Sequence, residues 1–194
     1  NGPIARADLM EKYGIDKLTT LDDWENYLTQ CVQNEAECAR GALLLMNTGF
    51  MSNYTTPSFT ISSAFDSGTV DTPWIVIDGQ VIYSPVTDGY KDYLKRMNDW
   101  YEKGLVYRDF ASYQQTFGQA SMMSTGEVTL ADGFYNSIDD TESDATVEGL
   151  RVKAVPYPVQ KEGDTIHLRN YTYQVRPEYA MVISTACQYV EEVC

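Results

Sequence analysis

Trp74-Ile75-Val76-Ile77-Asp78-Gly79-Gln80-Val81-Ile82-Tyr83 is the stretch from which the rest of the chain can be read. Two β-rich runs of four residues flank Asp-Gly, the pair that best tolerates positive φ at both central positions of a tight turn. The stretch therefore predicts a β-hairpin. Immediately downstream the apolar period changes from two to 3.6. Residues from about Thr87 to Lys103 predict a long helix, with Gly104 just past its end. Its predicted buried stripe is Tyr90, Leu94, Met97 and Tyr101, widened by Tyr93 and Trp100.

Upstream of the hairpin, Ser58–Phe65 predicts a short helix and Asn47–Pro57 a loop. Ala42–Met46 is a continuous apolar run, read as a buried strand or a turn of buried helix. Thr20 with Asp23 forms a capping-box pattern, and the helix after it lines up Leu21, Trp24, Leu28 and Cys31. Arg6–Tyr13 predicts a helix with Leu9, Met10 and Tyr13 on one side, ended by Gly14. Downstream, Ser112 and Gln115 cap a helix running to Gly126 that buries Phe117 and Ala120. Strands are predicted at Val128–Ala131, at Arg151–Val155 before Pro156 and Pro158, and at Ala180–Ile183. Ile166–Val175 is β-like, and a last helix begins at Thr185. Helices interleaved with short strands give an α/β fold, a small mixed sheet covered by several helices, in one domain spanning 1–194. All three tryptophans, Trp24, Trp74 and Trp100, sit in periodic apolar patterns and are expected in the core.

The 194 residues include 28 Asp and Glu against 14 Lys and Arg, a net charge of −14. Such a surface repels phosphate backbones, so nucleic acid and anionic membranes are not expected partners. At 43% apolar and 22% charged, the composition is that of a folded globular chain. No apolar run reaches the roughly 20 residues of a membrane span. Neither a signal peptide nor a lipobox opens the chain at Asn1-Gly2-Pro3, and the last helical pattern is still running at Cys194. A piece of a longer protein is therefore expected.

Of four cysteines, Cys187 and Cys194 would lie two helical turns apart, roughly 10.5 Å along the axis, beyond disulfide reach. Cys31 and Cys38 flank a helix end and could close; free buried thiols are the expectation. With one histidine, His167, and no Cys-x-x-Cys, no structural zinc site is expected. The acidic run Asp139–Asp144 fails the calcium-loop pattern, because Ala145 and Arg151 stand where Gly and Glu are needed. It is read as a solvated loop. No cofactor or metal is implied.

Three segments together resemble a known family. They are Pro3–Ile15 with Thr20-Leu21-Asp22-Asp23-Trp24; Asp78-Gly79-Gln80-Val81 through Leu94 to Leu105; and Gly126-Glu127-Val128 through Gly133-Phe134-Tyr135-Asn136 to Ala180–Cys187. In this order they resemble the extracellular solute-binding proteins of ABC importers, the maltose-binding-protein branch, and within it the lipoproteins of Gram-positive bacteria. The resemblance implies a type II periplasmic-binding-protein-like fold, of which this chain is the second lobe, with the first lobe and its lipid anchor elsewhere. It implies a carbohydrate solute bound between lobes, a membrane permease as partner, an extracellular location and no catalysis. The lobe alone would be a monomer.

A sugar offers C–H faces to aromatic rings and hydroxyl edges to hydrogen bonds. Fifteen Tyr, three Trp and six Phe suit that task. The strand end Ala131-Asp132-Gly133-Phe134-Tyr135-Asn136 is the candidate site. By the resemblance Tyr135 stacks on the ligand, with Phe134 and Asn136 as neighbours. By the same resemblance the loop carrying Phe50, Asn53 and Tyr54 lines the cleft. Two other readings stay open: a carbohydrate-active enzyme or its accessory module, using a pair of cleft carboxylates, and a same-fold protein serving sensing or adhesion.

Overall fold

The computed structural model describes residues 2–45, 61–68, 73–111, 118–133 and 136–166. The sheet is built around a strand that the sequence reading did not anticipate, β1 (Gly2–Arg6). It pairs antiparallel with β4 (Leu130–Gly133) on one side and β5 (Val152–Ala154) on the other. Leu43 then bridges in parallel to Leu130 and to Val106, so the sheet is mixed. The apolar run at 42–45 thus resolves as buried extended chain between β4 and 105–107: Leu43 N donates to Leu105 O and Tyr107 N to Leu43 O.

Strand alternation sorts the side chains onto two faces. Ala5, Leu130 and Leu43 face one core, which they share with Leu9 and Met10 of α1 (Ala7–Lys12) and with α2 (Leu21–Asn34). Ile4, Ala131, Val152 and Leu44 face a second, filled by Met122 and Met123 of α4 (Gly118–Ser124) and edged by Ile138 of α5 (Asn136–Ser143). The result is a helix–sheet–helix sandwich.

The capping box that opens α2 forms as expected. Thr20 Oγ1 accepts from Asp23 N at 3.1 Å, and the Asp23 carboxylate accepts from Thr20 N at 2.9 Å. The helix buries Leu21, Trp24, Leu28 and Cys31, and also Tyr27, whose hydroxyl lies 3.3 Å from the carbonyls of both Arg6 and Thr129. Cys31 and Cys38 are free and buried; burial pushes their thiols up to about 11 and about 12.

The long helix, α3 (Asp88–Glu102), is capped by Thr87, but its buried stripe is Tyr93, Met97 and Trp100. Leu94 is 48% exposed and Tyr101 also faces water. Met97 of the expected stripe and the widening pair Tyr93 and Trp100 are core and Tyr90 packs partly against it, whereas Leu94 and Tyr101 are not, because the helix carries apolar residues on two sides and periodicity cannot choose between them. Asp139–Asp144 is a second correction: it lies largely in α5, with Thr141 buried and the Glu142 carboxylate accepting from Val152 N at 2.8 Å.

The hairpin forms as predicted from β2 (Trp74–Ile77) and β3 (Gln80–Tyr83), with positive φ at Asp78 and Gly79. Its outer face is not core. Trp74 is 60% exposed, its ring 4.8 Å from that of Tyr83 and tilted 52° to it, beside exposed Val76 and Val81. Trp24 and Trp100 are fully buried. Acrylamide should therefore quench one tryptophan of three, and Trp74→Phe should abolish the quenchable fraction while leaving the melting temperature within about 2 °C.

Glu25 ties α2 to α3. Its carboxylate accepts from Arg96 at 2.6 Å, Lys103 at 2.6 Å and Trp100 Nε1 at 2.9 Å. Burial alone would raise its pKa, but Lys103, Trp100 and Arg96 outweigh burial and hold it below the usual range. Asp23 and Glu35 are lowered likewise, each against the opposing effect of burial. A carboxylate lowered by folding stabilises above its unfolded pKa and loses that contribution as pH falls through the folded value. The melting temperature should stay level from about pH 7 to about pH 5 and drop below about pH 4. Glu25→Gln should cost about 1 kcal/mol at neutral pH and make the acid fall shallower, as read by thermal melts across pH.

Candidate functional site

The candidate site lies where β4 ends and β1 begins. Gly133 faces Gly2 in register and Asp132 faces Pro3. Two glycines opposite each other leave this corner of the sheet without side chains of its own; Gly133 is buried and Gly2 half-buried. A Cβ on Gly2 would sit 3.6 Å from the hydroxyl of Tyr157, so that phenol lies against Gly2. Tyr157 reaches this position because Val155 N donates to Pro3 O, which aligns the chain after β5 with the start of β1. Asp132 is only 4% exposed. Burial, and after it the charge of Asp132, raise the Tyr157 phenol above its ordinary pKa. Phenol and carboxylate each already take part in an interaction within the fold.

Phe134 and Tyr135 follow directly in sequence from Gly133 but lie outside the described residues, as do Phe50, Asn53 and Tyr54 of the second predicted loop. Asn136 opens α5, and its side chain is outside the described ones. The prediction placed the site at this strand end. What it missed is Gly2 and Tyr157, brought there by β1 and by the Pro156-Tyr157-Pro158 segment. An aromatic held between two prolines just after a strand was the signal that could have found it.

Two surface grooves lie elsewhere. One, of about 710 Å³ between α2 and α3, is lined by Asp22, Glu25, Asp92, Lys95, Arg96 and Lys103. Its charges are largely engaged with one another: Arg96 reaches Asp22 and Glu25, and Lys103 reaches Glu25 and Asp99. The other, of about 700 Å³ on the outer side of α3, is lined by Val86, Tyr90 and Leu94 with Lys91 and Lys95. Among the described residues no group of three or more His, Cys, Asp or Glu stands together as a metal site. No helix among them is long and apolar enough to cross a membrane.

No family model matches the chain, and no curated protein matches it. Solved structures do match in fold. An HMO-binding, ABC-transporter-associated solute-binding protein from Bifidobacterium longum infantis superposes with a TM-score of 0.63 at 17% identity, over 81% of this chain and 33% of its own. The alginate-binding protein AlgQ2 gives 0.60 at 16% identity, over 79% and 31%. Maltose-bound MalE3 from T. maritima gives 0.57 at 17% identity, over 81% and 38%. The fold is type II periplasmic-binding-protein-like. This chain forms a mixed sheet between two helical layers. It spans about a third of the length of the structures just named.

Proposed function

We propose that this chain is the second lobe of a two-lobe solute-binding protein that delivers a carbohydrate to an ABC importer. The observation that carries the reading is the fold likeness to two ABC-transporter solute- or substrate-binding proteins, one described as HMO-binding and one in complex with fructo-nystose, and to structures described as holding stachyose and maltose. The strand-end corner supports it, because Gly133 leads straight into the aromatic pair Phe134 and Tyr135. In this reading Tyr135 stacks on a pyranose face, and Phe134 and Asn136 add a second apolar contact and a hydrogen bond. Tyr157 donates from the β1 side. The loop of Phe50, Asn53 and Tyr54 lines the cleft from the same lobe, and the other lobe supplies the opposite wall. The work is binding and closure with no bond made or broken: ligand bridging both lobes favours the closed form that a permease recognises. The whole protein would be extracellular and held to the membrane by lipid.

Stacking and a few hydrogen bonds from one wall contribute only a few kcal/mol, so the isolated lobe should bind at millimolar level at best. The test is calorimetry of the full-length protein against maltotriose, stachyose and mixed human-milk-type glycans. Micromolar binding with no glycan cleavage supports the reading. Cleavage of the glycan, or binding of peptides in place of every sugar, would replace it.

A further inference from the structure

Six of the seven large apolar side chains exposed among the described residues lie between Trp74 and Leu94. Four of them form a block on one face of the hairpin. Trp74 pairs with Tyr83 and Val76 with Val81, so strand alternation turns all four the same way. Val86 and Leu94 carry the apolar surface onward into the groove on the outer side of α3. The two parts adjoin: Pro85 and Val86 follow Tyr83 almost directly, and Tyr83 is close enough to Tyr90 for its charge to raise that phenol. Residues 73–87 hold one charged side chain, Asp78, in a chain that is 22% charged. A face that is aromatic, apolar and depleted of charge has the composition of a protein–protein contact, and proteins rarely leave so large an apolar patch in water.

The charges on and around this face favour a second copy of the chain as its occupant. At −14 per chain, two copies repel each other wherever carboxylates meet, and the hairpin brings none but Asp78. The two ends of the patch differ in sign. Asp78 stands at the hairpin tip and Lys91 on the groove wall beyond its base; neither has an ion pair among the described residues. The groove's other charges are Asp88 and Lys95, the latter holding Asp92 at 2.8 Å. Two hairpins laid antiparallel about a two-fold axis set the valines of one copy against the rings of the other. Each Asp78 then meets Lys91 of the other copy, and the contact occurs twice. With the six side chains between 42% and 81% exposed, the area comes near the roughly 800 Å² that each partner of a standard interface buries.

We infer that the outer face of the hairpin docks a second copy of this chain, forming an antiparallel two-fold dimer. Association costs offset much of the area gained, so the dimer forms at concentrations on the order of 50 µM. The monomer that the resemblance implies is its dilute form. The contact makes no use of the strand-end corner and stands whichever solute binds there.

The test is sedimentation velocity of the full-length protein from about 5 to about 500 µM, as wild type, Val81→Glu and Asp78→Asn. The wild type should pass from monomer to dimer across that range. Val81→Glu puts a carboxylate from each copy into the apolar contact and should raise the dissociation constant at least tenfold. Its melting temperature should stay that of the wild type, since Val81 is 70% exposed. Asp78→Asn keeps the turn, because Asn-Gly suits the same tight geometry. Removing an acid from two acidic copies would tighten a dimer that leaves Asp78 in water; here it should loosen the dimer about threefold, because Lys91 loses its partner. A wild type monomeric throughout, a dimer untouched by Val81→Glu, or one tightened or unchanged by Asp78→Asn overturns the inference. So does shielding of Trp74 from acrylamide in the dilute monomer, which would show the rest of the full-length polypeptide already covering the face.

Discussion

Gly41→Ala should destabilise the chain by at least about 3 kcal/mol, enough to lower its melting temperature by roughly 10 °C or to prevent folding. Two penalties combine there. The backbone has φ +112, a region that L side chains rarely adopt. A Cβ would also sit 2.3 Å from Val106 O and 2.4 Å from its carbonyl carbon, both backbone atoms that no rotamer change can move. Those atoms belong to the segment that ties 40–44 to the sheet: Arg108 N donates to Arg40 O, and both Ala42 N and Leu43 N donate to Leu105 O. Relieving the clash breaks this ladder and loosens Leu43 from Leu130 at the strand carrying the candidate site. Gly14→Ala is the control. Its backbone is also left-handed, at φ +65, but nothing lies within 4 Å of an added Cβ, so the cost should be about 1 kcal/mol. Equal costs at the two positions, measured by denaturant unfolding, would show that close packing of 40–44 against 105–108 is not what holds this edge.

The second large effect is expected on binding. Tyr135→Ala in the full-length protein should weaken the sugar complex by about 2 kcal/mol, roughly 30-fold, because a stacked ring and the area it covers are both lost. Tyr135→Phe keeps the ring and should stay within about threefold of the wild type. Trp74→Ala removes an equally large aromatic from the exposed hairpin, yet should leave affinity unchanged. Calorimetry on the three variants separates the readings. A loss on Trp74→Ala with none on Tyr135→Ala would move the binding surface from the end of β4 to the hairpin.

How much of this was legible follows from which physical signals are local. The hairpin at 74–83 and the capping box at Thr20 and Asp23 were readable because each is decided within four residues by turn or cap chemistry. The face of α3 is legible only in part: Met97, Tyr93 and Trp100 are core as read, whereas Leu94 and Tyr101 face water, a choice that packing against α2 decides. Trp74 misled for a related reason, since alternation reports that a strand has an apolar face and not that anything covers it. The central strand β1 was hidden by its composition. Gly2 and Pro3 argue against a strand, but they sit at its first positions, where the lost donor costs least. The same strand explains the partial view of the site. The motif 131–136 was visible as sequence, whereas Tyr157 and Gly2 join it only through antiparallel pairing across more than a hundred residues.

Solute should meet this chain at the corner where β4 gives way to residues 134 and 135. Amide chemical-shift mapping of the full-length protein, with and without the tightest-binding neutral oligosaccharide, locates the contact residue by residue. Perturbations should concentrate at Gly2, Asp132–Tyr135 and Tyr157, with Trp74–Tyr83 and the α2–α3 groove silent. Perturbations gathered along Asp22, Glu25 and Arg96, or on the outer face of the hairpin, with none at Gly133 or Tyr157, would contradict this placement.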